Sequence, residues 1–247
     1  MNSDIDAVRA DFFDRGFVHI RCEEPPSAAD LLALATSFGP VLEGERHVRK
    51  NHPAIQIISE TGLFGDQDLP WHNDFSYGEG DFFGTLLANR KNGAAAATSF
   101  VDMATACAAL PEAEQERLRS LTGHYFLPAD LMSDFYSDGQ ERSMKRARSA
   151  RPLVFDHPAT GRTVLYFSPG TLRRVRGGEV DIEALIAHCE QFAWDHLWQP
   201  NDILLYDNFR VMHRRPPFRG ERELWRIQFS PWEASRCRLD REPPLVA

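Results

Sequence analysis

Apolar and polar positions along the chain follow two periods. "DIDAVRADFFDRG" has helical spacing and predicts a helix that stops at Gly16, after which "FVHIRC" reads as a short strand. "SAADLLALATSFG" predicts a second helix, capped by Ser27 and ended at Gly39. Beyond it, short strand-like runs take over: "AIQIIS", "FFGTLLAN", "AATSFVD", "PLVFDH", "TVLYFS", "DILLYDN" and "LWRIQFSPW". Turn signals such as "KNG" and "ATG" separate them. Two helical stretches interrupt: "DMATACAALPEAEQERLRSL", which Pro111 divides, and "DIEALIAHCEQFAWDHL". Short strands with helices mostly outside them predict a mainly β fold with flanking α, a sandwich or barrel core clad by helices. Without an internal repeat or a separating linker, residues 1–247 are expected to form a single domain.

Composition narrows the function classes. The net charge is −8, and the densest basic run (Arg142, Lys145, Arg146, Arg148 and Arg151) lies in acidic surroundings, which favours a solvated segment over a nucleic-acid surface. No stretch approaches the roughly 20 apolar residues that span a bilayer, and the acidic N-terminus lacks the regions of a signal peptide. Cys22, Cys107, Cys189 and Cys237 are scattered, which argues against a disulfide framework or a zinc cluster. A soluble, cytoplasmic protein with a small-molecule partner, and with neither nucleic acid nor membrane, is the expectation.

The stretch "LPWHNDFSY" places His72 two residues before Asp74. On a strand, such residues share a face. An imidazole and a carboxylate together are two-thirds of a two-histidine, one-carboxylate iron clamp, which leaves three coordination positions open. A third ligand must come from elsewhere in the chain. His19, His47, His52, His124, His157, His188 and His196 compete with His213, which has the best context because it follows the apolar run "NDILLYDNFRVMH". His188 lies in an amphipathic helix and His157 in a Pro/Gly turn, where surface or local structure explains them.

"RELWRIQF" adds a second signal. As a strand it puts Arg222, Leu224, Arg226 and Gln228 on one face and Glu223, Trp225, Ile227 and Phe229 on the other. Two arginines on one face either sit at a wet sheet edge or are buried against anions. A guanidinium fork suits a carboxylate. At four residues' separation, about 13 Å, the two would hold different groups.

In order, "GFVHIRC", "FGPVLEG", "LPWHNDFSY", "GTLLANRKNGAAAATSFVDMATACAALPE", "HPATGRTVLYFSPG", "WQPNDILLYDNFRVMH" and "RELWRIQF" resemble the taurine dioxygenase (TauD/TfdA) family of iron(II)- and 2-oxoglutarate-dependent oxygenases. The resemblance implies a double-stranded β-helix (jelly roll) core clad by helices. It implies Fe(II), 2-oxoglutarate and O2 as cofactor and cosubstrates. It matches His72, Asp74 and His213 to the iron ligands, Arg222 to the arginine that grips the far carboxylate of 2-oxoglutarate, and Thr98 to the threonine that assists it. Arg226, Asp68 and Phe75 match or adjoin substrate-contacting positions, as do His47 and Arg49. Phe75, Tyr77, Phe82 and Phe83 are candidates for a wall around the reacting centre. The chain is shorter than many relatives and has "GAAAA" before Thr98 where they often have two glycines. Because Asp74 is a carboxylate, the resemblance implies hydroxylation of an unactivated C–H bond rather than halogenation, with succinate and CO2 as co-products.

Three alternatives stay open: the same chemistry ending in desaturation or another oxidation, a catalytically silent metal-binding jelly roll, and a zinc hydrolase. The pocket is expected from loops at residues 44–70, 128–150 and 170–180, with 128–150 a candidate lid. His19, Trp194, Trp198 and Trp232 read as packing residues, and Asp207 and Asn208 as turn residues that aim His213.

Overall fold

The computed structural model describes residues 5–44, 48–62, 65–78, 84–92, 96–126 and 149–230. His47, Phe82, Phe83, Trp232 and nearly all of the candidate lid lie outside them.

Two antiparallel sheets face each other. The larger has six strands in the order β1 (Phe17–Arg21), β13 (Asp202–Asp207), β5 (Gly84–Asn92), β15 (Arg222–Phe229), β3 (His52–Ser59) and β2 (Val48–Arg49). The smaller has four, in the order β12 (Ala193–Leu197), β6 (Ala97–Asp102), β14 (Val211–Arg215) and β4 (Leu69–His72). Two further small sheets flank them, one of β11 (Leu172–Arg176), β7 (Thr122–Tyr125) and β8 (Ser149–Pro152), the other of β10 (Thr163–Leu165) and β9 (Val154–Asp156). Helices cover the outer faces: α1 (Ile5–Arg15) and α2 (Ala28–Thr36) over the larger sheet, α3 (Met103–Ala108), α4 (Glu112–Arg119) and α5 (Ile182–Glu190) beside the smaller one. This is the helix-clad jelly roll expected from the sequence.

Strand alternation sorts the core into layers. Leu86, Ile203, Leu205, Ile227 and Phe229 face outward and pack with Phe12, Leu31, Leu34 and Phe38 of the helical layer. Their neighbours Leu87, Leu204, Tyr206 and Leu224 face inward and meet Phe100 and Val211 of the opposite sheet. Each fully buried side chain of this size stabilises by about 1.5–3 kcal/mol. Gly84 is paired with Phe229, and a Cβ there would run into the Phe229 ring, so only glycine admits the ring.

The helix signals hold. Ser27 and Asp30 form a reciprocal capping box. Gly16, at φ +79°, ends α1 with its N–H on the Phe12 carbonyl. Pro111 stands between α3 and α4 at the N-cap of the latter. One expectation fails: the helix read through "FAWDHL" ends at Glu190, and Ala193–Leu197 is strand β12. Residue for residue it pairs with β6 from Val101 to Ala97, so backbone pairing to a neighbouring strand overrides the local helical run. His157 does open the turn expected there, accepting from Ala159 N–H at Nδ1, but it is not at the surface. It is 1% exposed, and its Nε2 lies 3.0 Å from Asp207 Oδ2.

Candidate metal and cosubstrate site

His72 ends β4 and lies opposite His213 of β14 in the sheet register, so two strands far apart in sequence set the imidazoles side by side, with ring centroids 4.2 Å apart. His213 sits inside its strand rather than in a turn after it. Asp74 is not on the strand with His72. It lies in the turn that follows, where strand alternation no longer decides its direction. Instead Asn208 clamps it: Asp74 N–H donates to Asn208 Oδ1, and Asn208 Nδ2 donates back to the Asp74 carbonyl, both at 2.8 Å. Asn73 donates to the Asn208 carbonyl at 2.8 Å, and its own N–H is held by Ser168 Oγ at 3.1 Å. Next in line, Phe75 takes a left-handed φ of +54°, a costly conformation for a bulky residue at the exit of this turn.

The donor atoms converge. Asp74 Oδ1 is 3.5 Å from His72 Nε2 and 3.9 Å from His213 Nε2, and all three lie within 4.8 Å of one another. Pro70's carbonyl, 2.7 Å from His72 Nδ1, fixes the tautomer with Nδ1–H as donor and leaves the Nε2 lone pair for the cluster. Burial, and after it the neighbouring His72, pushes the His213 imidazole down to about 3, so it is neutral, as metal ligation requires. Burial by itself would raise the Asp74 carboxyl, but Arg226 and the two imidazoles hold it well below the usual carboxylate range. Two imidazoles and an ionised carboxylate fit a non-haem iron(II) ion with open positions.

Around the cluster lies a cavity lined by apolar Ile58, Leu69, Leu87 and Leu224 and by Thr98, Tyr206, Arg222 and Arg226. The expected faces of β15 are realised: Arg222, Leu224, Arg226 and Gln228 are all buried, and the strand is central rather than an edge. The two arginines hold different groups. Arg226 Nη1 donates to Asp74 Oδ2 at 3.1 Å, while its Nε and Nη2 both reach Gln56 Oε1. Arg222 donates from Nη2 to Thr98 Oγ1 at 3.2 Å, and its Nε and Nη1 have no hydrogen-bond partner among the described residues. At 2% exposure this is a buried, unsatisfied cation; burial, with Arg215 adding repulsion, lowers it to about 9. Thr98 also accepts from Trp198 Nε1 at 2.9 Å, which leaves its own proton to donate. An anion is the group this corner lacks, and a carboxylate of 2-oxoglutarate fits it.

Other expected residues fall elsewhere. Asp68 is exposed and Phe75 is half-buried against Tyr77, and neither lines the cavity. Arg49 stacks on Trp225 at 4.1 Å, on the helical side of the sheet. Trp198, read as a packing residue, is the hydrogen-bond donor to Thr98. Gln56, Gln228 and Arg215 were not anticipated. Only the alternation of β15 pointed to Gln228, and no local signal marks Gln56.

Comparison with known proteins agrees with this geometry. Residues 1–228 match the family described as "Taurine catabolism dioxygenase TauD, TfdA family". The chain is 28% identical over 233 residues to the alpha-ketoglutarate-dependent 2,4-dichlorophenoxyacetate dioxygenase of Cupriavidus pinatubonensis, covering 82% of this chain and 80% of that one. It is 24% identical to pentalenolactone F synthase of Streptomyces arenae, over 87% of this chain and 84% of the relative. Among solved structures, one described as a putative alpha-ketoglutarate-dependent taurine dioxygenase from Burkholderia xenovorans superposes with a TM-score of 0.76 at 21% identity, over 93% of this chain and 83% of that one, and shows the same fold. Described helices include none long and apolar enough to cross a membrane. The chain therefore belongs to the TauD/TfdA family and is a 2-oxoglutarate-dependent non-haem iron dioxygenase, working with Fe(II), 2-oxoglutarate and O2.

Proposed function

We propose that this chain, acting as one domain, hydroxylates an unactivated C–H bond of a small, carboxylate-bearing molecule, and that His72, Asp74 and His213 hold the iron while Arg222 and Thr98 hold the far carboxylate of 2-oxoglutarate. The observation that carries this reading is the buried Arg222 fork, with two nitrogens lacking partners among the described residues, in the cavity shared with the His–Asp–His cluster. When bound, iron with 2-oxoglutarate supplies the O2-dependent oxidation that yields succinate and CO2.

The chain's own residues set the geometry. Arg226 and Gln228 both donate to Asp74 Oδ2, at 3.1 and 3.2 Å, while Oδ1 faces the histidines. One carboxylate oxygen is thereby left for the metal, while the other already accepts two hydrogen bonds. His72, Asp74 and His213 would hold the iron through two imidazoles and one carboxylate oxygen, a set that would leave room for 2-oxoglutarate and O2. Arg226 thus acts first as a positioning residue for Asp74. Arg226 is paired with Asp74 and Arg214 with Glu190, but Arg215 and Arg222 also line the cavity and Asp74 is the only acid among the described residues of its lining, so the balance is cationic, which favours an anionic substrate. The Cupriavidus relative, a 2,4-dichlorophenoxyacetate dioxygenase, supports the same class.

Succinate release over a panel of small carboxylic acids, each paired with its neutral amide, tests the substrate class. The acids are expected to stimulate turnover and their amides to fail. Equal stimulation by acid and amide throughout the panel would contradict a carboxylate-selecting pocket.

A further inference from the structure

A second group of metal-binding side chains lies outside the cavity. Asp202, fully buried at the start of β13, faces His19 of β1 and His196 of β12. His19 Nε2 is 3.0 Å from Asp202 Oδ1, His196 Nε2 is 3.3 Å from Oδ2, and all three donor atoms lie within 4.8 Å of one another. The imidazole rings meet edge to face at 4.9 Å. We propose that His19, His196 and Asp202 form a second divalent-cation site, of the class taken by Zn²⁺, which ties the two sheets together at their open edge.

Three observations carry the proposal. The first is distance. Ligands bound to zinc at about 2.0–2.1 Å in a tetrahedron stand roughly 3.3 Å apart. The separations here, 3.0 Å to Asp202 Oδ1 and 3.3 Å to its Oδ2, lie close to that value, one imidazole on each carboxylate oxygen. The second is a weakly satisfied atom: His196 Nε2 is buried, and its 3.3 Å approach to Asp202 Oδ2 is long and poorly aligned for a hydrogen bond. A cation between the two groups satisfies it. The third is topology. β1 is the edge of the six-stranded sheet and β12 the edge of the four-stranded sheet, so a single ion would cross-link strands that no backbone ladder joins. The protonation states are compatible with this. Burial tends to raise the Asp202 carboxyl, but Arg21 and His19 bring it below its ordinary value, while burial and then His19 lower the His196 imidazole. His19, with its side chain 36% exposed, leaves a path for the ion and for a water as fourth ligand.

Two groups already contact Asp202. Gln199 N–H donates to Oδ2 at 2.7 Å, which orients the carboxylate and leaves a lone pair on that oxygen. Arg21 Nε donates to Oδ1 at 2.9 Å and competes with a cation. Its side chain is 57% exposed and can turn into water when an ion arrives, so Arg21 tunes affinity rather than blocks the site.

The test is zinc stoichiometry by equilibrium dialysis on the full chain, without 2-oxoglutarate. The wild type should bind two equivalents of Zn²⁺, and the His19→Gln/His196→Gln variant one. His72→Ala/His213→Ala should retain one equivalent and melt at higher temperature with zinc than without it. Arg21→Gln should tighten the second equivalent severalfold, an effect that a purely hydrogen-bonded cluster would not produce. A single equivalent in the wild type would overturn the proposal, as would a second equivalent unchanged by His19→Gln/His196→Gln. Should the His72→Ala/His213→Ala protein fail to fold, Co²⁺ in the wild type decides. Intense visible bands of tetrahedral cobalt that vanish in His19→Gln/His196→Gln support the site, and their absence from the wild type overturns it.

Discussion

At Asp74 one carboxylate oxygen is held by Arg226 and Gln228, while the other looks toward two imidazoles. That division depends on backbone as much as on side chains, because Asp74 sits in a turn pinned by the two bonds to Asn208. Asn208→Ala is therefore expected to weaken Fe(II) binding by about 10–100-fold, the usual range for partners that orient a ligand; metal titration with circular dichroism as a fold control checks this. Arg222 predicts a trade between stability and function. Replacing a buried, unsatisfied cation with an apolar side chain of similar volume is often stabilising, by roughly 1–4 kcal/mol. Arg222→Met should then raise the melting temperature without cosubstrate while greatly weakening 2-oxoglutarate binding. A variant both less stable and unchanged in 2-oxoglutarate affinity would contradict this. At this scale the sequence was informative wherever chemistry is rare: His72, Asp74, His213, Thr98 and Arg222 all border one cavity. It was silent on Gln56 and incomplete on Trp198, which packs in the core as read and also donates to Thr98, because an amide or an indole has many ordinary uses and only the fold shows which atom it meets.

Among the elements, β12 and β14 show what periodicity leaves undecided. "FAWDHL" continues a helical run in one dimension, yet becomes a strand because β6 offers a ladder. Similarly, the turn reading of Asp207 and Asn208 leaves "VMHRR" without an assignment, yet it is a strand of its own between β6 and β4. Between β13 and β14 the chain turns on Asp207, whose Oδ1 accepts from Phe209 and Arg210 N–H groups, as the turn reading anticipated. Arg210 then forks onto both oxygens of Asp102, at 2.8 Å each, where Asp102 also caps α3. This pair ties the β13–β14 turn to the end of β6. Burial raises the Asp102 carboxyl, but its bonds to Arg210 outweigh that and leave it below its ordinary value of 3.8. A lowered folded value means that the stabilisation is fully present above the unfolded value and is lost as pH falls through the folded one. Asp102→Asn should cost about 3 kcal/mol near neutral pH, and the gap from wild type should close progressively below pH 3.8. Denaturant unfolding across pH checks it; a gap that is constant down to pH 2, or absent at pH 7, would contradict it.

Across the whole molecule, four layers place chemistry by contrast of faces. Outward residues of the six-stranded sheet bind helices; inward residues of the same strands build both an apolar core and a charged cavity. The layered class was legible because strand-length apolar runs between turn signals allow few other packings. Sheet order was not, since it depends on pairings such as that of β1 with β13, nearly the whole chain apart. The His19–His196–Asp202 group was hidden for the same reason: His19 and Asp202 are 183 residues apart and meet through the β1–β13 pairing, and His196 joins them from the edge of the other sheet. The central claim is that the His–Asp–His cluster and Arg222 form one iron and 2-oxoglutarate site. The most direct measurement is an anaerobic titration of metal-free protein with Fe(II) and 2-oxoglutarate, following the weak visible charge-transfer band of the chelate. The band should grow to one equivalent in the wild type, be absent in His213→Ala, and require far more 2-oxoglutarate in Arg222→Met. Tight iron binding with no band in the wild type, or an undiminished band in His213→Ala, would contradict the account.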